Sequence, residues 1–202
     1  GFKPENIVYA GVGKSDWEIE LGLDLGIFCF NVESLPELEI INELAENMGK
    51  KAPVCLRINP NIRANTHANI ATGLAENKFG ISLNDLEKVL VCLKDLSSIE
   101  LLGLHFHIGS QIMDMGDFSA LCNRINDLLD WMECHKYHLP HINVGGGLGI
   151  DYSHPNRQSI PDFESYFDVY DSLLNLRSYQ TLHFDLGRSI VGQCGSLISR
   201  VL

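Results

Sequence analysis

Short apolar segments alternate along the chain with longer segments in which apolar residues recur at helical spacing. The predicted strands are Ile7–Ala10, Ile27–Val32, Val54–Asn59, Leu101–Ile108, His141–Val144 and Leu182–Asp185. The predicted helices are Asp16–Leu25, Leu35–Met48, Asn84–Leu93, Phe118–His135 and Phe163–Leu176. This order predicts βα units and a parallel sheet. Six strands would satisfy an open doubly wound sheet, whereas a closed (β/α)8 barrel needs two more units.

The composition is that of one globular domain, or of most of a larger one. The chain has 202 residues, of which 45% are hydrophobic and 20% charged, and its formal net charge is −11. The acidic balance argues against a nucleic-acid-binding face, and no apolar run approaches the roughly 18 residues of a membrane helix. The six scattered cysteines form no CxxC pair, which favours a reduced, cytoplasmic protein. Because Gly1 comes first and both ends are strand-like, we expect a fragment truncated at both ends.

Three of the predicted strands become polar on one face towards their C-terminal ends. Positions two apart share a strand face, and the polar faces are Cys55/Arg57/Asn59, Gly103/His105/His107 and His183/Asp185. Buried polar groups are costly unless they are paired. Since ligands of parallel α/β proteins bind at the C-terminal ends of the strands, we expect a binding site there.

A glycine-rich segment, Gly145-Gly146-Gly147-Leu148-Gly149, directly follows the predicted strand His141–Val144. Glycine lets backbone N–H groups approach an anion closely, as in phosphate-binding loops. Ile150 stands where the GxGxxG pattern has its last glycine. The segment alone is equally consistent with a phosphate-binding loop and with a plain tight turn.

Four polar residues near the strand ends have two interpretations each. His105 and His107 share a strand face and could bind a metal, but no third ligand recurs at metal-ligand spacing, so we expect no metal site. Instead, His105 could be a hydrogen-bonded core residue and His107 a ligand contact. Asp185 and Arg188 could hold a cationic ring nitrogen and an anion, or be a strand-end carboxylate and a surface arginine.

Gly13-Lys14-Ser15 looks like the end of a Walker A motif. The earlier glycine of that motif is absent, because Val8 occupies its place, and a nucleotide-binding P-loop is therefore rejected. Lys14 is expected at the surface or at the start of a helix.

Taken in order, several short motifs resemble those of pyridoxal-phosphate-dependent decarboxylases with an alanine-racemase-like barrel, and most closely the diaminopimelate decarboxylases. The motifs are Tyr9-Ala-Gly-Val-Gly-Lys14-Ser15, Phe30-Asn-Val-Glu-Ser34, Arg57-Ile-Asn-Pro60, Thr66-His67, Thr72-Gly-Leu74, Asn77-Lys-Phe-Gly-Ile81, Gly103-Leu-His-Phe-His-Ile-Gly-Ser-Gln111, Asn143-Val-Gly-Gly-Gly-Leu-Gly149 and Gly187-Arg188. The resemblance implies an α/β fold, a partial TIM-type (β/α)8 barrel with about six of the eight βα units. Residues 1–202 would be one pyridoxal-phosphate-binding domain that lacks the family's C-terminal β-domain.

The resemblance also implies an activity for the full-length protein. It would decarboxylate meso-2,6-diaminopimelate to L-lysine and carbon dioxide, the last step of lysine biosynthesis, as a cytoplasmic homodimer. Pyridoxal 5′-phosphate would be the cofactor and a small amino acid the substrate, with no nucleic acid, membrane or metal involved. A related basic-amino-acid decarboxylase, a non-catalytic cofactor carrier and a regulatory paralogue stay open as alternatives.

The family's cofactor contacts transfer onto the polar strand ends of this chain. His107 would stack on the cofactor ring and Ser110 would bind the phosphate. The backbone N–H groups of Gly145, Gly146 and Gly147 would bind the same phosphate.

The segment after the last predicted strand would supply the remaining contacts. Asp185 would sit at the pyridine nitrogen and keep it protonated. Leu186 would also contact the cofactor, and Arg188, with the Gly187 backbone, would hold the cofactor phosphate or the distal carboxylate of the substrate. Arg57 would lie deep in the barrel beside the cofactor.

Two departures from the family pattern affect the expected activity. The family has Glu-Pro-Gly-Arg where this chain has Asp185-Leu-Gly-Arg188, so the carboxylate is one methylene shorter and should support the ring nitrogen less. The family's Schiff-base lysine, in a Tyr-Ala-x-Lys-Ala-Asn setting, has no counterpart near Tyr9-Ala10. We therefore expect the 202 residues alone to be inactive.

Overall fold

The computed structural model describes residues 1–62, 79–154, 157, 160–196 and 198–200. Within these residues, seven parallel strands form one sheet. The strands are β1 (Val8–Tyr9), β2 (Cys29–Val32), β3 (Ala52–Asn59), β4 (Ile81–Ser82), β5 (Ile99–Phe106), β6 (His141–Asn143) and β7 (Thr181–His183). The motifs at Thr66-His67, Thr72–Leu74 and residues 77–78 lie outside the described residues.

The described part of the chain contains six α-helices, most of which begin at a capping side chain. They are α1 (Asp16–Leu25), α2 (Leu35–Asn47), α3 (Leu83–Cys92), α4 (Met115–Cys134), α5 (Phe163–Leu173) and α6 (Arg188–Val191). Side-chain oxygens of Ser34, Ser82, Asp114 and Asp162 accept hydrogen bonds from first-turn N–H groups of α2, α3, α4 and α5. α1 ends at Gly26, whose φ of +67° is the left-handed conformation that glycine adopts without strain.

The sheet is a partial TIM-type barrel, as the resemblance implied. Its strand order is β1-β2-β3-β5-β6-β7, and β4 pairs with the C-terminal end of β3. Helices connect most successive strands, as parallel pairing requires. All C-terminal strand ends consequently lie along one edge of the sheet, where the polar residues were predicted to gather.

The hydrophobic core lies on one face of the central strands and under the helices. Val54, Leu56 and Ile58 of β3 are fully buried, as are Leu104 and Phe106 of β5. This is the apolar face predicted for both strands, and the residues between them point to the opposite, polar side. The longest helix, α4, contributes seven buried apolar residues to this core.

The structure corrects three details of the prediction. β4 was not predicted, because a two-residue strand carries no periodic signal. The last strand ends at His183, so Asp185 lies in the following loop. Lys14 is not a surface residue: only 1% of its side chain is exposed, and its Nζ lies 2.6 Å from Glu37 Oε1. The same ammonium donates hydrogen bonds to the carbonyl oxygens of Gly11 and Asn31.

Candidate functional site

The glycine segment after β6 packs directly against the two other loops of the predicted site. A Cβ atom on Gly145 would lie 3.3 Å from the Cα of His107, and one on Gly146 would lie 2.7 Å from the carbonyl oxygen of Asp185. A Cβ atom on Gly147 would lie 2.6 Å from the carbonyl oxygen of Gly109. The loops after β5, β6 and β7 therefore meet at the C-terminal edge of the sheet.

Close packing explains why these three positions are glycine. Gly145 and Gly147 have φ values of +77° and +98°, and a side chain at any of the three would collide with neighbouring backbone. The N–H of Gly145 donates to Asn143 Oδ1 at 2.8 Å. No acceptor for the N–H groups of Gly146 and Gly147 occurs among the residues that the structure describes. The segment is thus a tight turn that also presents two backbone donors.

Asp185, in the loop after β7, accepts a hydrogen bond from a histidine on the inner face of β5. His105 Nε2 lies 3.1 Å from Asp185 Oδ2, and the imidazole is almost wholly buried while about a third of the carboxylate side chain is exposed. Burial raises the pKa of Asp185, but the hydrogen bond from His105 and the positive charge of Arg57 outweigh it, so the pKa is lowered overall. Asp185 is therefore held as a carboxylate.

His107, one residue beyond the end of β5, stays in the neutral form. Burial and the positive charge of Arg57 lower its pKa, although the nearby carboxylates of Asp185 and Glu33 act in the opposite sense. A neutral imidazole has an uncharged aromatic face, and the ring lies beside the glycine segment, since a Cβ atom on Gly145 would be 3.3 Å from His107 Nδ1. Ser110, three residues further on, is half-buried between Gly109 and Gln111.

Arg57 on the inner face of β3 is paired with a carboxylate that the sequence did not suggest. Its Nη1 donates to Glu33 Oε1 at 2.9 Å and to Glu33 Oε2 at 2.7 Å, and both side chains are largely buried. The charge of Arg57 still lowers the pKa values of His107 and Asp185, so the pair belongs to the same site. Nothing in the local sequence signals this contact, because Glu33 directly follows β2 whereas Arg57 lies in β3.

Arg188, at the start of α6, is held by a glutamine that sequence reasoning also missed. Its Nη1 donates to Gln111 Oε1 at 3.2 Å, and its guanidinium lies 5.7 Å from the ring centroid of Tyr152. The amide of Gln111 also donates to the carbonyl oxygen of Ile150 at 2.6 Å and accepts from the Ile150 N–H at 3.2 Å. Gln111 itself has a φ of +62°, a left-handed conformation that is unfavourable for a non-glycine residue.

The donors at this edge fit a phosphorylated ring compound. Two backbone N–H groups that have no acceptor among the described residues, together with the Ser110 hydroxyl, suit a phosphate. A neutral imidazole and an ionised carboxylate suit an aromatic cation. The buried hydroxyl of Ser189, in the first turn of α6, also lacks a partner among the described residues. In that part of the chain, no three His, Cys, Asp or Glu side chains are grouped to hold a metal ion, and no helix has the length and apolar character needed to cross a membrane.

Residues 1–192 match the family model described as the pyridoxal-binding domain of pyridoxal-dependent decarboxylases. The chain is 65% identical over 202 residues to diaminopimelate decarboxylase of Bacteroides thetaiotaomicron, covering 100% of this chain and 52% of that protein. It is 40% identical over 194 residues to the Neisseria meningitidis enzyme of the same name, covering 96% and 46%. The chain thus spans about half the length of the curated relatives that it matches.

Solved structures give the same picture of the fold. Helicobacter pylori diaminopimelate decarboxylase complexed with L-lysine matches with a TM-score of 0.80 and 37% identity, over 94% of this chain and 47% of that one. An arginine decarboxylase of Paramecium bursaria Chlorella virus matches with a TM-score of 0.68 at 20% identity, over 92% and 46%. The second likeness concerns the fold alone.

Proposed function

Because the chain belongs to the pyridoxal-dependent decarboxylases, we propose that it forms most of the cofactor-binding barrel of a diaminopimelate decarboxylase. The full-length protein would convert meso-2,6-diaminopimelate to L-lysine and carbon dioxide in lysine biosynthesis. The observation that carries this proposal is the meeting of the His107, Gly145–Gly147 and Asp185 loops at the C-terminal edge of the sheet. Support for the substrate comes from the relatives, which are named for this activity at up to 65% identity.

Each loop would make one kind of contact with pyridoxal 5′-phosphate. Ser110 and the N–H groups of Gly146 and Gly147 would bind the phosphate, together with Gly145 through the turn that it makes possible. The face of His107 would stack on the ring, since a neutral imidazole can pack against an aromatic cation without charge repulsion.

The loop after β7 would bind the opposite end of the cofactor and the substrate. Asp185, held as a carboxylate, would keep a proton on the ring nitrogen. Leu186 and Gly187 would line the cofactor, and Arg188 would bind the distal carboxylate of the substrate or the phosphate. Arg57, neutralised by Glu33, would contribute to the inner wall of the site without adding a net charge.

The cofactor would supply the electron sink that takes up the electron pair left when the α-carboxylate departs. The chain's own residues would bind, orient and hold protons. The family's lysine anchor has no counterpart near Tyr9-Ala10. For this reason, a non-catalytic cofactor carrier is the second candidate for the 202 residues taken alone. A cytoplasmic homodimer is the proposed form of the full-length protein.

A visible absorption scan with added pyridoxal phosphate, followed by borohydride reduction and peptide mass mapping, tests the proposal. The 202-residue chain should give a band close to that of the free aldehyde and no reduced lysine adduct. The full-length gene product should give a shifted band, one labelled lysine, and release of carbon dioxide from meso-diaminopimelate. A labelled lysine within the 202 residues, with Lys14 and Lys78 as the first suspects, would overturn the assignment of the anchor. Absence of binding by both proteins would overturn the function.

A further inference from the structure

We infer that His105 is a positioning residue that fixes the Asp185 carboxylate at the ring nitrogen of the cofactor. This inference rests on the proposed function for its catalytic meaning, but the contact itself does not. Two features of the site support it: the geometry of the His105–Asp185 bond and the surroundings of the second imidazole nitrogen.

The bond joins two elements that no local motif connects. His105 lies within β5 and Asp185 in the loop after β7, 80 positions apart in the chain, and Nε2 and Oδ2 are 3.1 Å apart. Since β6 lies between β5 and β7 in the sheet, the bond reaches across one strand on the inner face. The imidazole is enclosed, whereas the carboxylate is partly open towards the site. Among the described residues, only Oδ2 of this carboxylate has a side-chain hydrogen-bond partner, so Oδ1 is left to face a ligand.

The surroundings of the other imidazole nitrogen, Nδ1, determine which protonation state and tautomer of His105 fits the structure. Nδ1 is buried, and no described group pairs with it. A proton on Nδ1 would bury an N–H without an acceptor, which is costly. The form that fits is therefore the neutral ring with its proton on Nε2, directed at Asp185. His105 is then a fixed hydrogen-bond donor and not a base.

The shorter carboxylate of this chain makes the contact more consequential. The family pattern has glutamate where this chain has Asp185, so the carboxylate has less reach and depends more on being held in place. The other titratable or charged groups that act on it are His107 of the β5 loop, Arg57 of β3, and Tyr166 and Tyr170 of α5. Of all these groups, only His105 donates a side-chain hydrogen bond to Asp185 among the described residues.

Two histidine substitutions form a matched test. Glutamine places an N–H close to the position of Nε2, whereas asparagine places one close to Nδ1, too short to reach Asp185. The readout is ¹³C NMR of the carboxyl carbons in the full-length protein labelled with ¹³C-aspartate and free of cofactor. The Asp185 signal is the one that disappears in Asp185→Asn.

In His105→Asn the protonation midpoint of Asp185 should rise by about one pH unit, because a bond to the charged form is lost. In His105→Gln it should stay close to the wild-type value. An unchanged midpoint in His105→Asn, or equal rises in both variants, would overturn the inference. His105→Phe, which fills the same buried space, provides a second variant without a donor and should behave as His105→Asn does.

The cofactor-loaded protein provides the catalytic readout. In His105→Asn, kcat should fall by roughly tenfold. This is the low end of the effect seen at metal sites when a residue that hydrogen-bonds to a metal ligand is replaced. KM should change little, and His105→Gln should restore kcat. If the NMR pattern holds but wild-type protein binds no pyridoxal phosphate, the proposed function fails and the contact stands. If the cofactor binds but the two variants have equal kcat, the positioning role fails.

Discussion

At the scale of single residues, the site contains charged side chains that are largely buried, and each of them is stabilised by a specific partner. Asp185 is ionised because the hydrogen bond from His105 and the positive charge of Arg57 outweigh the cost of its partial burial. Arg57 and Glu33 carry opposite charges into the barrel as a pair, so neither is left uncompensated. His107 is neutral for the complementary reason, since burial and Arg57 both disfavour a second proton on its ring.

Replacing Asp185 by glutamate tests the effect of carboxylate length. We expect Asp185→Glu to keep the bound cofactor chromophore in its ring-protonated form to higher pH, because the longer side chain brings its charge closer to the ring nitrogen. The measurement is a pH titration of the chromophore in full-length protein, with Asp185→Asn as the control that removes the charge. Superimposable titrations of wild type and Asp185→Glu would show that length has no effect.

At the scale of elements, the loops after β5 and β6 are locked together by a short backbone ladder and by Gln111. The N–H of Ile112 donates to the Gly147 carbonyl oxygen, and the N–H of Gly149 donates to the Ile112 carbonyl oxygen, each at 2.9 Å. The Gln111 amide extends this ladder to Ile150 and then contacts Arg188 of α6. A single side chain thus connects the three loops that the proposed site requires.

Two substitutions of Gln111 should separate the stabilisation by its side-chain hydrogen bonds from the cost of its left-handed φ. Gln111→Met removes the three hydrogen bonds to Ile150 and Arg188 and a weaker one to Met113 Sδ, and should lower the free energy of unfolding by about 2 kcal/mol. Gln111→Gly also removes them but relieves the left-handed φ, and should recover about 1 kcal/mol of that loss. Urea denaturation of the full-length protein measures both. A glycine variant less stable than the methionine variant would contradict the strain argument.

The buried ion pair between Lys14, in the segment before α1, and Glu37, in the first turn of α2, should contribute strongly to the stability of the protein. Lys14→Met leaves the Glu37 carboxylate without its cation and should cost about 3 kcal/mol in unfolding free energy. Lys50→Met provides the control, because its partner Asp24 is 72% exposed; that change should cost less than about 1 kcal/mol. Equal losses in the two variants would show that burial does not strengthen the Lys14 pair.

Five of the six described helices and the polar strand ends were predictable from sequence because their signals are local, whereas the four-residue helix α6 was not predicted. The bounds of α1 were predicted to the residue, since Ser15 and Gly26 mark its two ends. The partners of Lys14, Arg57, Arg188 and Asp185 were not predicted. In each pair the two residues lie in different segments of the chain. The sequence separations are 23, 24, 77 and 80 positions, in the order in which the residues are named above. Such contacts depend on the order and curvature of the strands in the sheet. No local sequence pattern predicts them.

At the scale of the whole molecule, the sheet is a barrel segment with two edges. Within the residues that the structure describes, β1 pairs only with β2, and β7 only with β6. Unpaired strand edges expose backbone donors and acceptors that can pair with another chain. Large apolar side chains are exposed on α1, the helix that follows β1 in the chain. Trp17 and Leu25 are 65% and 53% exposed. In the described part of the chain, β1 and β7 therefore each leave one strand edge unpaired.

We expect the isolated 202-residue polypeptide to self-associate, whereas the full-length gene product forms a discrete species. Sedimentation velocity at several protein concentrations distinguishes the two, since edge-mediated association grows with concentration. Trp17→Lys in the isolated polypeptide should reduce association if apolar contact near β1 is its cause, while Val191→Lys, on the short helix after β7, is the matched change at the other edge. A monodisperse 22.5 kDa monomer at all concentrations would mean that the edges are protected within the segment itself, and that closure of the barrel is not needed for its solubility.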